Sequence, residues 1–482
     1  RYVNESTLKK MSLPWTVKLS YSVGHVMNDL GASMWFFYLL LYLVYVLGVN
    51  QAAAGFLIFL GQIVEGLFTP IVGLGVDRTF QLFNSLELKY NARKVWHLAG
   101  TVLVAVCLPL IFSRCSACYS VSDWALMFYL SSLVVLYQLG WAIVQVSHLS
   151  LIPDMSSQEE ERDQLNSMRY SFDVGGDLIL FIGMWIMFSA DEFDAPVNRS
   201  DDYKFIYVVI TITVVGLLTS AIFQIGTKVP ENVISLSRTS QKVSWKSWIT
   251  DVNFHKVASL HMFSRLFATV CHVYIPVYLQ GLGAPEYTIA SVPLTLNISG
   301  LVTSMALIGA LTRCIGKKYV FILGVLIGFS GVLLLLVLSN DNIVYFGIYL
   351  FGLLIGPAIS ILLVTSLALT ADLISSYTVQ SAFVYGYMSS VEKMFTGFVI
   401  WIIQIIAAST CTDCSEYYSW AVVIVPGCSL FFGLLTVFFI SNKLDRPLVK
   451  DNDETSSLLS SSKSHAFNPE EILFLEANYG SL

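Results

Sequence analysis

The sequence predicts an all-α membrane protein with twelve transmembrane helices, arranged as two six-helix bundles related by pseudo-two-fold symmetry. Three observations predict it: long apolar segments, a charged fraction of 12% with a mean hydropathy of +0.69, and a weak similarity between the two halves of the chain. A soluble domain carries about twice that charged fraction. Because lipid cannot satisfy exposed backbone groups, each membrane-spanning segment is predicted to be a helix.

Twelve apolar segments are each long enough to cross the roughly 30 Å of hydrocarbon in a bilayer. We predict spans at 17–47, 52–76, 94–113, 124–148, 169–190, 203–226, 254–280, 286–311, 318–338, 342–371, 380–408 and 418–441. Residues 1–18 are polar, and the first apolar run is longer than a signal-peptide core, so no cleavable signal peptide is expected. An even number of spans places both termini on one side, and most of the 27 Lys and Arg residues fall on that side. The positive-inside rule therefore predicts cytosolic termini.

A polar connector divides the chain into two halves that resemble each other weakly. The segment 146–154 at the end of span 4 is similar to 364–372 at the end of span 10. The turn after span 2, residues 73–78 followed by 92–94, has a counterpart after span 8 at 313–318. Such repeats predict two bundles that rock around a binding site near the bilayer midplane. The predicted organisation is a cytosolic N terminus (1–16), an N-terminal bundle (17–226), a cytosolic connector (227–253), a C-terminal bundle (254–441) and a disordered cytosolic tail (442–482).

Four ionisable residues lie inside the apolar segments: Asp29, Glu65, Arg265 and Lys393. A charge at the bilayer centre costs about 3 kcal/mol on insertion scales unless it is paired or hydrated, so such residues usually mark a path for ions or polar solutes. They predict a transporter. The sequence contains no metal cluster, nucleophile constellation or phosphate-binding loop, so we expect no enzymatic activity, no cofactor and no nucleic-acid partner.

Span 1 places His25 and Asp29 four residues apart, and therefore on one helical face. An ionised Asp29 can bind the amino group of a zwitterionic substrate, while Arg265 or Lys393 can bind its carboxylate. The alternative is a structural Asp29 that pairs with a basic residue of the other bundle. Further candidates for the substrate site are His25, Asn28, Trp35, Tyr38, Gln145 and Tyr385, although each aromatic residue also fits ordinary packing.

The turn after span 2 carries a candidate gate. Gly73, Asp77 and Arg78 precede the basic pair Arg93 and Lys94. Asp77 and the basic residues can form contacts between cytosolic helix ends in one conformation that break in the other. A loop that only obeys the positive-inside rule explains the basic residues equally well, but it does not explain Gly73 and Asp77.

These motifs resemble those of a known family. The turn Gly73-x-x-x-Asp77-Arg78-Thr79 resembles the signature of the major facilitator superfamily. The motif Tyr21-x-x-Gly24-x-x-x-Asn28-Asp29 and the lysine Lys393 are similar to those of its glycoside–pentoside–hexuronide:cation symporter branch, typified by melibiose permease. Longer stretches resemble the lysosomal and melanosomal cysteine transporters of animals, namely 21–25, 96–101, 147–153, 364–374 and 382–386. The resemblance implies a monomeric alternating-access carrier that moves cysteine from the cytosol into lysosomes and lysosome-related organelles.

The resemblance also assigns roles to three charged residues. Asp29 and Arg169 match substrate-site residues of the branch, and Lys393 matches a buried lysine that bridges the bundles toward the acids of spans 1, 2 and 4. The neighbouring Glu392 is expected to point in another direction from the helix than Lys393, so it is not an automatic partner for this lysine. For Arg169, an ordinary pair with Asp173 one turn further on is an equally good explanation.

The cation site of the symporter branch is only partly present. Glu65 matches one of its acids, whereas Thr69 and Gln145 stand where the other two acids are found. One carboxylate offsets the dehydration of sodium less well than two, and burial favours the neutral form of a lone glutamate. We therefore expect protons rather than sodium, if transport is coupled at all. The alternative is a protonated Glu65 that only forms a hydrogen bond between helices.

Two cysteine pairs fall in loops on the non-cytosolic side: Cys115 with Cys118, and Cys411 with Cys414. In that setting disulfides are favoured over zinc ligands or free thiols. Which cysteine pairs with which does not follow from the sequence. Asn198, in the motif Asn198-Arg-Ser200 of another such loop, is a candidate glycosylation site.

The tail carries two candidate sorting signals. Glu454, Leu458 and Leu459 fit an acidic dileucine signal, and Tyr479 with Leu482 fits a tyrosine-based signal. Signals of both types are read by clathrin adaptor complexes, so they predict a lysosomal membrane. Two other functions stay open at this point: a cation-coupled sugar symporter, and a membrane adaptor or sensor that transports nothing.

Overall fold

The computed structural model describes residues 13–85, 91–114, 123–156, 158–189, 196–228, 248–337, 346–374, 381–410 and 414–440. These residues form twelve helices long and apolar enough to cross a membrane. They are α1 (Trp15–Val46), α2 (Gln51–Val76), α3 (Ala92–Ile111), α4 (Asp123–Leu149), α5 (Gln164–Phe188), α6 (Arg199–Gly226), α7 (Val252–Gly281), α8 (Glu286–Ile315), α9 (Lys317–Leu336), α10 (Ile348–Ile374), α11 (Val384–Thr410) and α12 (Glu416–Phe439). The described residues contain no β-strand, so the all-α prediction is confirmed.

Every predicted span has its helix, and the differences lie at the ends. The helix of α2 continues to Ser85, and that of α5 begins at Glu159, ten residues before the predicted start of the span. A transmembrane helix can continue beyond the bilayer through polar residues, because water hydrates polar side chains that would be unfavourable in lipid. The predicted boundaries therefore followed the apolar segments rather than the helices.

Helix α1 is the most deeply buried of the twelve and is not a regular α-helix. It contains two π-helical segments, Met34–Tyr38 and Tyr42–Val46. A third π-helical segment, Ser304–Ile308, interrupts α8. Such segments occur often at functional sites, because the extra residue in a turn reorients neighbouring side chains. The first of them directly follows Ser33, close to the acidic residue Asp29.

The predicted similarity of the two halves appears as matching contacts. We call the membrane side that carries the helix ends near Trp15 and Ile440 the terminal side, and the other side the opposite side. On the terminal side Arg93 pairs with Asp154, and at the equivalent place in the second half Lys317 Nζ lies 2.6 Å from Asp372 Oδ1. The next lysine of each half, Lys94 or Lys318, donates to backbone carbonyl groups at the ends of α6 and α12: those of Gln224, Thr227 and Ile440.

The two halves meet along α2 with α11 and along α5 with α8. Glycine permits the closest approach: a Cβ atom at Gly55 of α2 would lie 2.5 Å from the Cβ atom of Gln404 on α11. Within the C-terminal half, a Cβ atom at Gly356 of α10 would collide with the Leu296 carbonyl oxygen of α8. Glycine thus permits α2 to pack closely against α11, and α10 to pack closely against α8.

Candidate functional site

A cavity of about 120 Å³ lies between the two halves. Helices α1 and α5 line it from the N-terminal half, and α8 and α10 line it from the C-terminal half, with His272 of α7 at one end. The N-terminal wall is acidic, whereas the C-terminal wall offers neutral polar groups. The polar lining residues are Asp29, Ser33, Tyr170, Asp173, Asp177, His272, Asn297 and Ser360.

Asp29 is the candidate substrate residue that the structure places in this cavity. The residue is only 2% exposed, and its Oδ1 atom lies 2.5 Å from Nδ1 of His25, as the four-residue spacing predicted. Its Oδ2 atom is buried and has no hydrogen-bond partner within the described parts of the chain. Because an unpaired carboxylate oxygen in a buried site is unfavourable, this atom requires a cation or a hydrogen-bond donor to complete it.

Arg169 lies beside His25 rather than in the cavity. Its Nη1 atom is 3.3 Å from Nδ1 of His25, and the side chain is almost fully buried. The structure thus places two of the predicted substrate residues, His25 and Arg169, in the layer behind Asp29. There they can fix the orientation of its carboxylate.

Asp173 and Asp177 of α5 line the cavity beside Asp29, and sequence reasoning missed them as site residues. Ser33 of α1 donates a hydrogen bond to Asp177 Oδ1 at 2.5 Å. The signal was present, since two carboxylates four residues apart share a helical face. The sequence interpretation, however, treated Asp173 only as a partner for Arg169 and assigned Asp177 no role.

His272 of α7 and Phe37 of α1 close the cavity toward the opposite side. Their rings stack with centroids 4.5 Å apart. Phe37 also meets Phe181 of α5 edge-on, at 4.9 Å between centroids. This aromatic layer joins the two halves just beyond the acidic residues, and it makes Phe37 and His272 further residues that the sequence did not reveal.

Lys393 and Glu65 form an ion pair between α11 and α2, outside the cavity lining. The predicted bridge from Lys393 to an acid of the first half is therefore present, and its partner is Glu65. Thr69 uses its hydroxyl to bond the backbone carbonyl of Glu65 at 2.7 Å, so it is committed to its own helix. Ser390 adds a hydrogen bond across the same interface, to the carbonyl of Gly66.

Arg265 has a partner that sequence reasoning did not assign. Its Nε atom lies 3.9 Å from Oε1 of Glu392 on α11. Glu392 therefore points away from the ion pair of Lys393 with Glu65, as expected. Neither Arg265 nor Lys393 lines the cavity with Asp29. The structure therefore brings together the predicted amine end of the substrate site, but not the predicted carboxylate end.

The other predicted substrate residues lie outside the cavity lining. Asn28 donates to the carbonyl of Trp141 at 3.1 Å, and Trp35 stacks on Tyr137 with centroids 5.5 Å apart. Tyr38 packs against Phe181 and Phe205. Two further residues are also absent from the lining, namely Gln145 and Tyr385. For the aromatic residues, packing is the role that these contacts support.

The candidate gate residues make contacts within the first half. Arg93 donates to the carbonyl of Ser150 as well as pairing with Asp154, so it ties α3 to the end of α4. Lys94 ties the same helix to the end of α6. Gly73 is half-buried and Arg78 is exposed, whereas the side chain of Asp77 lies outside the described residues. Gating by this cluster stays a prediction.

The opposite side is closed by a buried polar cluster that we call the seal: Val197, Asp201, Lys204, Gln280 and Glu286. Lys204 of α6 is fully buried, lies 3.0 Å from Asp201 and pairs with Glu286 of α8. Gln280 of α7 bonds both the N–H and the carbonyl of Val197, at 2.9 and 2.5 Å. The seal joins the two halves, whereas two described ion pairs on the terminal side, Arg93–Asp154 and Lys317–Asp372, each join residues of one half.

Replacing Lys204 by methionine is expected to loosen the seal. It leaves Asp201 and Glu286 buried near each other without a cation, and removing one partner of a buried pair costs about 3–5 kcal/mol. Denaturant unfolding of the purified protein measures the loss. Lys228→Met, at an exposed position, is the control. Equal stability of the two variants would show that Lys204 does not hold the halves together.

The predicted processing sites are only partly described. Cys414 is disulfide-bonded, while Cys107, Cys271, Cys314 and Cys428 are free. The other candidates, Cys115, Cys118 and Cys411, lie outside the described residues, as do both tail signals. Asn198 is exposed and begins the α6 region, accepting a hydrogen bond from the Ser200 N–H at 2.8 Å. Its glycosylation stays a prediction.

A polar cavity between two six-helix halves with matching contacts defines a membrane carrier of the major facilitator class. The family model described as "MFS/sugar transport protein" matches residues 20–441. The chain belongs to the major facilitator superfamily, whose members are transporters and not enzymes. It is 34% identical over 447 residues to "Major facilitator superfamily domain-containing protein 12" of Homo sapiens, across 86% of this chain and 91% of the relative.

Two solved structures share the fold at low sequence identity. A bacterial homologue of the iron transporter ferroportin, in an inward-facing state, superposes with a TM-score of 0.62 at 16% identity, over 89% of this chain and 99% of that one. A point mutant of the nucleoside transporter NupG gives a TM-score of 0.63 at 12% identity, over 88% and 100%. The predicted fold is thereby confirmed.

Proposed function

We propose that this protein imports a small amino acid, with cysteine as the expected substrate, from the cytosol into the lumen of lysosomes and related organelles. The observation that carries the proposal is the unpartnered, buried Oδ2 atom of Asp29 in the cavity between the halves, within the described part of the chain. A protonated amino group completes such an atom with a charge-assisted hydrogen bond. The preference for cysteine comes from the resemblance to lysosomal cysteine transporters.

The size of the cavity supports a small substrate. Its volume of about 120 Å³ is well below the roughly 300–1,000 Å³ of pockets that hold drug-sized ligands. An amino acid with a short side chain suits this space better than a disaccharide does. The wall of the cavity that the C-terminal half contributes carries Asn297 and Ser360. These side chains offer hydrogen-bonding groups to the remainder of the solute.

The direction of transport is proposed from the charge distribution and the sorting signals. Most Lys and Arg residues are predicted to lie on the side of the termini, which the positive-inside rule assigns to the cytosol. The structure, sealed on the opposite side, would then accept substrate from the cytosol. The dileucine and tyrosine signals of the tail support delivery to lysosomes, through clathrin adaptors.

Uptake of radiolabelled cysteine into proteoliposomes that contain the purified protein tests the proposal. We expect saturable uptake that unlabelled cysteine competes and that sugars do not. Cystine and other amino acids as competitors would define the specificity. Absence of flux, with correctly folded protein, would contradict the proposal and favour an adaptor or sensor.

A sugar symporter is the second candidate, and one observation favours it. The matching family model is described as a sugar transport protein. This alternative predicts uptake that sugars compete and that follows a sodium or proton gradient. The same proteoliposomes, assayed with glucuronide and pentose competitors, would distinguish the two functions.

A further inference from the structure

We propose that Asp173 and Asp177, together with Asp29, form a site that holds either a proton or the ammonium group of the substrate, so that import is exchanged for a proton leaving the lumen. The identity of the ammonium-bearing substrate rests on the proposed function. The proton site itself does not.

The geometry places three carboxylates around one small space. Asp29 projects from α1, and Asp173 and Asp177 project from successive turns of α5. Asp177 already accepts a hydrogen bond from Ser33, and Asp29 is held on one side by His25. The Oδ2 atom of Asp29, in a residue only 2% exposed, is left without a donor in the described structure. That atom marks the place where a cation is needed.

The charges around the cavity do not balance the three acids. From α1 the facing titratable group is His25, from α5 itself they are Arg169 and Tyr170, and from α7 it is His272. Helices α8 and α10 contribute neutral Asn297 and Ser360. Among the described residues of the lining and of the layer behind it, three carboxylates are therefore accompanied by one guanidinium group, that of Arg169 behind Asp29. Asp29 is buried, whereas Asp173 and Asp177 are partly buried. Like charges around one small space disfavour the simultaneous ionisation of all three, which favours uptake of a proton or another cation by the cluster.

Glu65, in contrast, does not need an additional cation or proton. It is paired with Lys393 on α11, so that its charge is already compensated. The excess negative charge of the described membrane-buried region lies instead at the cavity, on residues that also face the substrate. Coupling through Asp173 and Asp177 would therefore place the proton and the substrate in the same space.

Exchange follows from competition for that space. An arriving ammonium group supplies the positive charge that the proton had supplied, so its binding releases the proton from the carboxyl group. A carrier opens its site to one side at a time. Substrate bound from the cytosol thus displaces a proton toward the cytosol, and a proton from an acidic lumen displaces the substrate into the lumen. No covalent bond changes other than the O–H bond of the carboxyl group.

Infrared difference spectroscopy on the purified full chain, without substrate, tests the proton site. We expect the carbonyl band of a protonated carboxylic acid at neutral pH, which Asp173→Asn with Asp177→Asn removes. The two single variants are measured as well, in case the double variant does not fold. Each single variant should weaken or shift the band. Asp123→Asn, at an exposed position, should retain it. A wild-type protein without the band, or an unchanged band in folded Asp173 and Asp177 variants, would overturn the proposal.

A pH-sensitive dye inside proteoliposomes tests the exchange. We expect cysteine to move one way and protons the other, with faster cysteine uptake when the vesicle interior is acidic. If binding of cysteine displaces one proton, the apparent affinity for cysteine falls about tenfold for each pH unit below the pH at which the site titrates. Protons moving together with cysteine, or uptake that ignores pH, would overturn the exchange. If cysteine is not transported while the infrared band behaves as expected, the proposed function fails and the proton site stands.

Discussion

Replacing Lys393 by alanine is expected to abolish transport while leaving the fold intact. Lys393 is the cation that pairs with Glu65 across the interface of α11 and α2. Its loss leaves a glutamate that is only 3% exposed without a partner, which costs about 3–5 kcal/mol. The loss of the pair therefore destabilises the interface between α2 and α11, along which the two halves must move. Uptake of labelled cysteine, with expression and monodispersity measured in parallel, checks the expectation.

Two further variants serve as controls: one that exchanges the two charges of the pair, and one at the residue that follows Lys393 in sequence. Glu65→Lys combined with Lys393→Glu restores a pair of opposite charges, so it should recover part of the uptake that either single change removes. Met394→Ala, next in sequence but 42% exposed, should leave uptake unchanged. Normal transport by Lys393→Ala would show that the ion pair is dispensable.

Replacing Asp29 by asparagine is expected to remove substrate binding. The change keeps the size of the side chain but removes the negative charge that faces the cavity. A hydrogen bond to a charged group contributes about 1.5–3 kcal/mol, so affinity should fall roughly 10- to 150-fold. Equilibrium binding of labelled cysteine to detergent-solubilised protein measures this loss directly, separately from any effect on the transport cycle.

The control for Asp29→Asn is Asp123→Asn, which removes the same charge at an exposed position at the start of α4. It should bind cysteine as the wild type does. If Asp29→Asn also bound cysteine normally, Asp29 would have the structural role that the sequence left open, and the amine would have to bind elsewhere.

The fold could be predicted from sequence because its determinants are local. Apolar length defines each span, and the repeated segments 146–154 and 364–372 carry Asp154 and Asp372, which make equivalent ion pairs in the structure. The four-residue spacing of His25 and Asp29 likewise predicted a contact within one helix. Helix periodicity was sufficient for these features.

The site was predicted less completely because it depends on which helices meet. No local pattern indicates that Glu65 pairs with Lys393, some 328 positions away, or that Glu392 turns toward Arg265. The acidic character of the cavity depends on α1 and α5 placing Asp29 and Asp177 around one space. Trp35 illustrates the converse: an aromatic residue next to the site in sequence faces Tyr137, because a π-helical segment changes the direction of side chains there.

The two halves are expected to alternate around the acidic cavity, and the seal is the contact that must open on the opposite side. Distances between spectroscopic labels on non-natural amino acids test this alternation most directly. One pair would join Asn198 and Glu416 on the opposite side, and another Arg78 and Arg313 on the terminal side, all exposed positions. When cysteine is added or the pH is lowered, we expect the opposite-side distance to lengthen and the terminal-side distance to shorten. If both distances stay unchanged in protein that transports cysteine, this alternation is contradicted.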